Sequence, residues 1–561
     1  MIALLASFFY LPTLSLLDII KKMKADKIRE EFLKFFEKKG HQIVPSSSLM
    51  PTDPSVLFTT AGMQQFKPYY LGQLSPWGKN VTSCQKCFRT SDIEEVGDSR
   101  HLTFLEMLGN FSFGGYFKKE AINLAYEFLF KELKLPLEKA HFTIFAGDDN
   151  VPEDKESFEI WQELGIPKEK IIKAGREDNF WGPTGEEGPC GPTTEIYFNG
   201  VEIWNIVFNE YYQDKDKKLT SLEQKGVDTG MGLERLAMSC QEVSTVFETD
   251  LFEPLISSIS SQDENAKKII ADHIKSAVFL IAEGVLPSNV ERGYIVRRLL
   301  RRAIRYGKSV DLISLAKKVI GIYENIYPEL KAREADIAVI IKKEKEKFAK
   351  TLEEGLKQFE KGADAFELYA TYGFPVELTV ELAKEKGIKI DIEDFNKKFK
   401  SHQEVSRAGA ESKFGGGGAY SPNLHTATHL LHAALREVLG QGVKQMGSDI
   451  TAQRLRFDFS YTNKMTAEEI NKVSGIVNQK IKDKLEVKKE EMSYNEAVEK
   501  GALAFFKEKY PERVNVYSIN NFSKEICAGP HVRNTSELGV FKITKEESSG
   551  AGVRRIRAIL E

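Results

Sequence analysis

Two pairs of potential metal ligands stand about a hundred residues apart in the chain. His425 and His429 are four residues apart in HTATHLLH, so a helix would place both imidazoles on one face. Cys527 and His531 have the same spacing in CAGPH. One pair alone is more often a surface or core feature, but three imidazoles and one thiol suit tetrahedral Zn²⁺, so we predict one zinc ion held by all four. Thr426 stands where a zinc protease needs Glu, which argues against peptide hydrolysis.

Arginines and glycines form a second set of residues suited to chemistry. Arg89 and Arg100 lie in CFRTSDIEEVGDSRHLTF, while Gly230, Gly232 and Arg235 lie in VDTGMGLERLA. A guanidinium stays charged and can donate to two phosphate oxygens at once, and glycine lets a ligand approach the backbone. Each fragment alone is a weak signal, because a loop arginine usually forms a surface ion pair and GMGLER could simply begin a helix. Together they predict a phosphate-binding site.

A third feature is the basic segment PSNVERGYIVRRLLRRAIRYGK, which has no acid after Glu291. Arg297, Arg301 and Arg305 recur at helical spacing, so one helix face would carry all three. A solvated helix face usually mixes both signs of charge, whereas this stretch does not. We therefore predict that these arginines bind nucleic-acid phosphates.

The composition limits the class of protein. The chain has 561 residues, of which 42% are hydrophobic and 29% charged, and this length predicts three or four domains. The net charge of −3 argues against a wholly basic nucleic-acid binder but allows local basic patches. Five scattered cysteines do not suit a disulfide scaffold, which favours a cytoplasmic location. Cys84 and Cys87 form a CxxC without a second pair nearby, so we expect them to pack beside a strand.

Residues 1–22 are mostly apolar, but Pro12 and Asp18 interrupt them and no basic residue precedes them. They fit neither a signal peptide nor a membrane span of about 20 apolar residues. Met23 precedes the amphipathic run KADKIREEFLKFF and resembles a natural start. We interpret residues 1–22 as a leader or a mis-assigned start, and we expect no membrane anchor.

Patterns along the chain divide it into four further segments. Residues 23–255 mix strand-like runs with glycine-rich turns and predict an α+β catalytic domain. Residues 256–405 are charged and helix-periodic, which predicts a helical domain. Residues 406–424 contain four successive glycines and predict a linker. Residues 425–561 return to mixed α/β character, so the chain is expected to be multidomain α+β.

In length and order, these segments resemble the alanyl-tRNA synthetase family of class II aminoacyl-tRNA synthetases. The likeness is carried by residues 40–72, 84–118 and 227–237, by WGPTGEEGPCGPTTEIYF and by EIWNIVFNEYYQ. It implies a class II antiparallel-sheet catalytic core, a helical tRNA-recognition domain and an α+β zinc-dependent editing domain. The implied partners are tRNA(Ala), L-alanine and ATP with Mg²⁺.

The resemblance also implies roles for individual residues. Arg89 should hold the α-phosphate of ATP and Arg235 the γ-phosphate, with Mg²⁺ bridging, while Phe104 should stack on adenine. Asp228 should bind the α-ammonium group of alanine in a charge-assisted pairing. Further ATP contacts are implied at Arg100 and Gly232. The residues implied to shape a pocket too small for larger side chains are Met63, Trp181, Asn205, Val207 and Gly230.

A small pocket excludes bulk, but one methyl or hydroxyl group changes binding by only about 1–3 kcal/mol. Glycine and serine are therefore expected to be activated by mistake, which is a reason to look for a second, hydrolytic site. The two ligand pairs, with VKQMGS, LRFDFS and AGVRRIRA, resemble the family's editing domain. Thr428, Gln445 and Gly447 would line that pocket, and zinc would orient the charged 3′ end or its water. Pro530 replaces a usual threonine, and the β-barrel that normally precedes His425 is missing.

The family reads a G3:U70 pair of the acceptor stem from the minor groove. Asn289 matches a residue used for that reading, whereas Ala370 stands where the family usually has an acid. The chain stops at Glu561 without the C-terminal segment that commonly pairs these enzymes, so we expect a monomer. Two alternatives stay open: a deacylase or RNA-binding protein with an inactive synthetase core, and a ligase with an inactive editing site. Alanine-dependent ATP–pyrophosphate exchange distinguishes the first of these from a ligase.

Overall fold

The computed structural model describes residues 23–401 except 54 and 184, residues 422–504 except 452, and residues 513–561 except 528 and 551. The leader predicted at residues 1–22 and most of the linker predicted at residues 406–424 lie outside the described residues. In the described part of the chain, no helix is long and apolar enough to cross a membrane. The chain divides into two compact units, the first ending at Lys386 and the second beginning at Gly387.

Strands of the first unit lie almost entirely before its long helices. The strands are β1 (Gln42–Ile43), β2 (Asn80–Phe88), β3 (Phe104–Phe113), β4 (Ala140–Phe145), β5 (Ile171–Ala174), β6 (Phe180–Trp181), β7 (Gly188–Phe198), β8 (Val201–Gln213) and β9 (Leu219–Gly232). The helices are α1 (Ala25–Lys38), α2 (Lys67–Tyr70), α3 (Lys118–Tyr126), α4 (Lys155–Glu163), α5 (Arg176–Asn179), α6 (Leu233–Cys240), α7 (Glu253–Ile256), α8 (Glu264–Ala282), α9 (Glu291–Tyr306), α10 (Leu312–Tyr323), α11 (Pro328–Ala332), α12 (Glu334–Glu360), α13 (Ala365–Ala370) and α14 (Val376–Glu385).

Among the described residues, these strands form one nine-stranded sheet in the order β1-β2-β3-β9-β8-β7-β4-β5, with β6 paired to β7. Neighbouring strands are antiparallel except at β1–β2 and β4–β5. The long central strands form from runs such as VEIWNIVFNEYYQ, which are rich in the β-branched and aromatic residues that fit a pleated surface. The α+β class and the antiparallel-rich sheet predicted from the sequence are confirmed.

A buried ion pair joins α1 to one face of this sheet. Arg29 donates from Nε and Nη2 to the two carboxylate oxygens of Glu106 in β3, at 2.9 and 2.7 Å. Tyr327 OH donates to the same carboxylate at 2.8 Å, and all three side chains are buried. Because side chains alternate between the faces of a strand, Leu105 and Met107 must face the opposite side of the sheet. That opposite side carries the candidate active site.

The helical segment packs directly against the sheet. Helix α8 is buried along almost its whole length, and Asp263 caps its N-terminus by accepting from two backbone N–H groups. Lys275 of α8 lies 2.8 Å from the Glu234 carboxylate, and both side chains are buried. A buried charge without its partner costs several kcal/mol, on the order of 3–5, so this pair fixes how α8 packs against α6.

Cys84 and Cys87 lie in β2, where both side chains are buried. The Cys84 thiol donates to Glu106 at 3.5 Å. Burial raises the pKa of the Cys87 thiol to about 12, so this sulfur stays protonated at neutral pH.

The second unit contains two smaller sheets. Its elements are α15 (Pro422–Leu439), β10 (Gln445–Ile450), β11 (Leu455–Ser460), α16 (Ala467–Lys482), β12 (Val487–Ser493), α17 (Tyr494–Glu499), β13 (Arg513–Ile519), β14 (Ser523–Ile526), β15 (Phe541–Gly550) and β16 (Val553–Leu560), and residues 392–401 are also helical. The sheet orders are β10-β11-β16-β15 and β12-β13-β14. Helix α15 packs on the first sheet through a core that includes Leu431, Phe457 and Ile556. This packing orients the histidines of α15.

Candidate functional sites

A cavity of about 270 Å³ lies on the sheet face opposite Glu106. Its floor is formed by β7, β8 and β9, whose antiparallel register places residues of the three strands side by side. Two neighbouring rows cross these strands: Thr193, Val207 and Asp228 form one, and Glu195, Asn205 and Gly230 form the other. The sheet register therefore brings together residues that lie far apart in the sequence.

Asp228 is a buried carboxylate at this floor, with 6% of its surface exposed. Burial raises the pKa of its carboxyl group from 3.8 to about 7. No hydrogen bond or ion pair reaches this carboxylate from any residue that the structure describes. A buried carboxylate without a cation is unfavourable in the ionised form, and a bound ammonium group would remove that penalty.

Asn205 presents a second oxygen acceptor beside Asp228. Its Nδ2 donates to Glu195 Oε1 at 2.7 Å, while its Oδ1 is buried and accepts no hydrogen bond from the described residues. Tyr197 OH donates to the other oxygen of Glu195 at 2.9 Å. Burial, together with the nearby Glu202 carboxylate, raises the pKa of Glu195 to about 7. Glu195 thus fixes the Asn205 amide with its oxygen available to a ligand.

The apolar boundary of the cavity includes Trp181 and Met107. Met63, expected from the sequence to shape the pocket, does not belong to the cavity lining. It is 1% exposed and packs in the same apolar cluster as Met107, so it supports the wall from behind. A Cβ atom at Gly230 would lie 3.0 Å from Met107 Sδ, so a larger residue there would press on this wall.

Four of the predicted phosphate-binding residues also line this cavity. They are Arg89, Arg100, Gly232 and Arg235. Arg89 is steadied by a hydrogen bond from Nε to the Thr60 carbonyl at 3.2 Å. Arg235 Nη1 donates to the Glu202 carboxylate at 3.0 Å. The structure therefore places three guanidinium groups around the cavity that contains Asp228.

Phe104 does not line the cavity, so the expectation that it stacks on adenine is corrected. Its ring is fully buried and stacks on Phe279 of α8, with 3.9 Å between ring centroids. Lys275 Nζ lies 5.1 Å from the same ring. A resemblance in sequence gives the position of an aromatic residue but not its neighbours, and here helix α8 occupies the ring face.

Six acids of the cavity were not predicted from the sequence. Carboxylates suit a hard cation such as Mg²⁺, and those that line the cavity besides Asp228 are Asp92, Glu177, Asp178, Glu195, Glu202 and Glu234. One signal was available for Glu195, which lies inside the otherwise buried strand TTEIYF. An acid is rarely buried unless it has a partner or a function.

The four predicted zinc ligands come together in the second unit. The ligand atoms of His425, His429, Cys527 and His531 all lie within 4.8 Å of one another, so a single ion could reach all four. Burial raises the pKa of the Cys527 thiol, but hydrogen bonds with the three histidines outweigh burial and lower the pKa to about 3. The thiolate is the form that binds zinc, so the donor set fits that ion.

Neighbouring side chains orient two of these imidazoles. His429 Nδ1 lies 2.6 Å from Glu525 Oε2, and His531 Nδ1 lies 3.2 Å from Thr426 Oγ1. The Thr426 hydroxyl itself donates to the Pro422 carbonyl, so it must accept from His531. Each ring then carries its proton on Nδ1 and turns Nε2 toward the other ligands, an arrangement typical of zinc-bound histidine. The sequence analysis missed Glu525, although it stands two residues before Cys527.

The predicted editing-pocket residues have different surroundings. Thr428 precedes His429 on α15, and its hydroxyl donates to the Leu424 carbonyl at 2.8 Å. Gln445 and Gly447 begin β10, where the register with β11 shifts between them. Gln445 Nε2 donates to Ser448 Oγ at 3.0 Å.

The basic helix α9 does not present a free phosphate-binding face, which corrects the expectation for Arg297, Arg301 and Arg305. Arg297 and Arg301 both pair with Glu344 of α12, at 3.3 and 3.0 Å. Arg305 pairs with two acids of α14 and is 9% exposed. The helix lacks acids of its own after Glu291, but distant helices supply them.

Asn289 and Ala370, the two positions that the resemblance relates to recognition of the tRNA acceptor stem, are exposed. Asn289 precedes α9, and Arg297 donates to its Oδ1. Ala370 is the last residue of α13.

Comparisons with known proteins identify the family of this chain. Residues 27–452 match the family of class II (A) tRNA synthetases, and residues 514–557 match the second additional domain of threonyl and alanyl tRNA synthetases. The chain is 46% identical to an alanine–tRNA ligase of Borrelia hermsii, covering 96% of this chain and 100% of that protein. The one from Treponema pallidum is 45% identical, with 96% and 98% covered. The one from Thermotoga maritima is 38% identical, with 96% and 80% covered.

Proposed function

The chain belongs to the alanyl-tRNA synthetases of class II, and on that premise we propose that it charges tRNA(Ala) with L-alanine at the β7–β9 cavity and hydrolyses mischarged tRNA at the zinc centre. In the first step, the alanine carboxylate attacks the α-phosphate of ATP, which forms alanyl-adenylate and releases pyrophosphate. In the second step, a hydroxyl of the tRNA 3′ end attacks the acyl carbonyl, and AMP leaves.

The buried Asp228 carboxylate is the observation that carries this proposal. It has no cationic partner among the described residues, and the α-ammonium group of alanine would supply one. The Asn205 oxygen, one register row away, accepts a second N–H of that group. Val207, Trp181 and Gly230 surround this position and admit a small side chain.

The three arginines of the cavity bind the triphosphate. Arg89 holds the α-phosphate, where negative charge grows as the carboxylate attacks. Glu202 occupies only Nη1 of Arg235, and a guanidinium has five donor N–H groups, so Arg235 can still bind the γ-phosphate. The carboxylates nearby supply oxygen ligands for the Mg²⁺ that accompanies ATP.

The acceptor stem of the tRNA binds to the helical segment, residues 256–405, and Asn289 reads the G3:U70 pair. Arg297, Arg301 and Arg305 of α9 take no direct part, because they are occupied by acids of the same unit. The five cysteines are free, which supports a cytoplasmic location.

Editing takes place in the second unit on Ser-tRNA(Ala) and Gly-tRNA(Ala). His425, His429, Cys527 and His531 hold the zinc, which polarises the ester or its attacking water when bound. Thr428, Gln445 and Gly447 form the side of the pocket that senses the serine hydroxyl. An editing site is needed because one extra hydroxyl group changes the binding free energy in the alanine pocket by only about 1–3 kcal/mol, so the pocket rejects serine weakly.

Charging assays with a tRNA(Ala) transcript test both activities. The wild-type protein should form Ala-tRNA and should not accumulate Ser-tRNA. The Cys527→Ala variant should charge alanine at the wild-type rate but accumulate Ser-tRNA. Failure of the wild type to form Ala-tRNA would contradict the ligase, and equal Ser-tRNA levels in both proteins would contradict the editing activity.

A further inference from the structure

The loop between β2 and β3, residues 89–103, carries four residues of the ATP side of the cavity. These residues are Arg89, Asp92, Arg100 and Leu102. The base of the loop is closed by a hydrogen bond from Arg89 N to Thr103 O at 2.9 Å. The position of the loop therefore determines where two of the three ATP-binding guanidinium groups lie, those of Arg89 and Arg100.

Arg302 of α9 contacts this loop from outside the cavity. It is 3% exposed, and its Nη1 donates to the carbonyl of Ile93, which lies in the single 3₁₀ turn of the loop. The same Nη1 lies 2.7 Å from His273 Nε2. Nε lies 2.6 Å from the Glu381 carboxylate of α14. One guanidinium thus joins the loop to two helices.

His273 extends this connection to the other end of the loop. An arginine can only donate, so His273 Nε2 must accept and its Nδ1–H must donate to Asp272, at 2.9 Å. The Asp272 carboxylate accepts in turn from the backbone N–H and the hydroxyl of Thr103, at 2.9 and 2.6 Å. Asp272 and His273 are fully buried. The middle and the end of the loop are therefore held by one continuous chain of hydrogen bonds.

We propose that Arg302 is a positioning residue for ATP, which holds the 89–103 loop in its binding geometry through Ile93 and through His273, Asp272 and Thr103. This inference rests on the proposed ATP-binding role of the cavity. It gives the buried Arg302 a role other than binding nucleic-acid phosphates. Lysine could not replace Arg302. The guanidinium presents several N–H donors in a fixed fork and so contacts Ile93, His273 and Glu381 together, whereas the single ammonium nitrogen of lysine cannot make all three contacts.

The test uses the full chain and measures the Kd for ATP with Mg²⁺ by titration calorimetry, and the KM for ATP and alanine by pyrophosphate exchange. Arg302→Lys should weaken ATP binding about tenfold, the effect expected for one lost charged hydrogen bond, and should raise the KM for ATP equally. The KM for alanine should stay within about twofold of the wild type, because β8 and β9 carry that pocket.

A second variant keeps the proposal testable if Arg302→Lys does not fold. Thr103→Val keeps the shape of the side chain and removes its hydroxyl contacts with Asp272 and Ser276, so it should also weaken ATP binding selectively. Glu385→Gln is the matched control: it loosens Arg305 on the same helix, does not touch the loop, and should leave the Kd for ATP unchanged.

An unchanged Kd for ATP in both Arg302→Lys and Thr103→Val would overturn the proposal. Equal losses for ATP and alanine, with a lowered Tm, would also overturn it, because they would indicate only a structural role. The calorimetric Kd does not require alanine chemistry, so a wild type that binds ATP without alanine-dependent exchange would refute the proposed function and not this inference.

Discussion

Asn205 and Asp228 face the same cavity from neighbouring strands, one register row apart. Asn205 Oδ1 is buried and accepts no hydrogen bond from the described residues, and burial alone raises the pKa of the Asp228 carboxyl group. Glu195 holds the Asn205 amide nitrogen on the far side. An ammonium group between the two oxygens would donate to both. This relationship gives the proposed alanine pocket a physical basis that does not depend on resemblance.

Asp228→Asn should make the protein more stable at pH 8. A pKa of about 7 instead of 3.8 corresponds to on the order of 4 kcal/mol of destabilisation once the buried carboxyl is ionised. Because the pKa is raised on folding, this cost is absent below about pH 4, grows as the pH rises through about 7 and is then constant. Calorimetric scans should show a higher Tm for the variant at pH 8, with a smaller difference at pH 5. A lower Tm than the wild type at pH 8 would contradict this.

The pH profile of alanine use should reflect the same carboxyl group. The α-ammonium group needs an ionised Asp228, so kcat/KM for alanine should rise with pH up to about 7 and level off above it. The pKa of Glu195 is also raised to about 7, so the profile should be repeated with Glu195→Gln. The rising limb should survive in that variant. A profile that is flat from pH 6 to pH 8 would exclude Asp228 as the partner.

Gly529→Ala should abolish or weaken zinc binding. A Cβ atom at Gly529 would lie 2.0 Å from Cε1 of His425, so the added methyl group must displace that ligand. Gly475→Ala is the matched control, because nothing lies within 4 Å of its Cβ position and alanine favours the helix that contains it. Metal analysis should find one zinc per chain in the wild type and the control. Full zinc content in Gly529→Ala would contradict this prediction.

Ala370→Asp should sharpen selection of G3:U70 over G3:C70 acceptor stems. Arg297 already occupies the Asn289 oxygen, so Asn289 offers mainly its amide N–H groups to base edges. An aspartate would add an acceptor, and one such contact is worth about 1–3 kcal/mol of discrimination. The measurement is kcat/KM on two minihelices that differ only at position 70, with Asn289→Ala expected to reduce the ratio. Unchanged ratios in both variants would mean that the pair is read elsewhere.

Local spacing predicted the sites whose geometry is local. His425 and His429 could be placed on one helix face from their spacing alone, and the strands could be predicted from their composition. Periodicity alone could not show that α15 lies beside the segment containing Cys527 and His531. The chemistry of the four side chains indicated it, because three imidazoles and one thiol suit a single zinc ion. Glu195 was missed because its importance depends on the register between β7 and β8, which periodicity does not specify.

Two predictions were wrong because helices distant in the sequence supply the contacts of the side chain. Arg305 was taken for a phosphate ligand because its own helix has no nearby acid, yet α14 supplies Glu381 and Glu385 about 80 residues later. Phe104 was placed against adenine by resemblance, but α8 covers its ring with Phe279. Tertiary partners of this kind cannot be read from a local pattern, because many helices could provide them.

Alanine-dependent ATP–pyrophosphate exchange, measured on the wild type and on Asp228→Asn, tests the central claim most directly. The wild type should exchange with alanine, and the variant should raise the KM for alanine by about 10- to 100-fold, because a charged hydrogen bond in the pocket is lost. A wild type without alanine-dependent exchange, or a folded variant with a KM within about twofold of the wild type, would contradict the account.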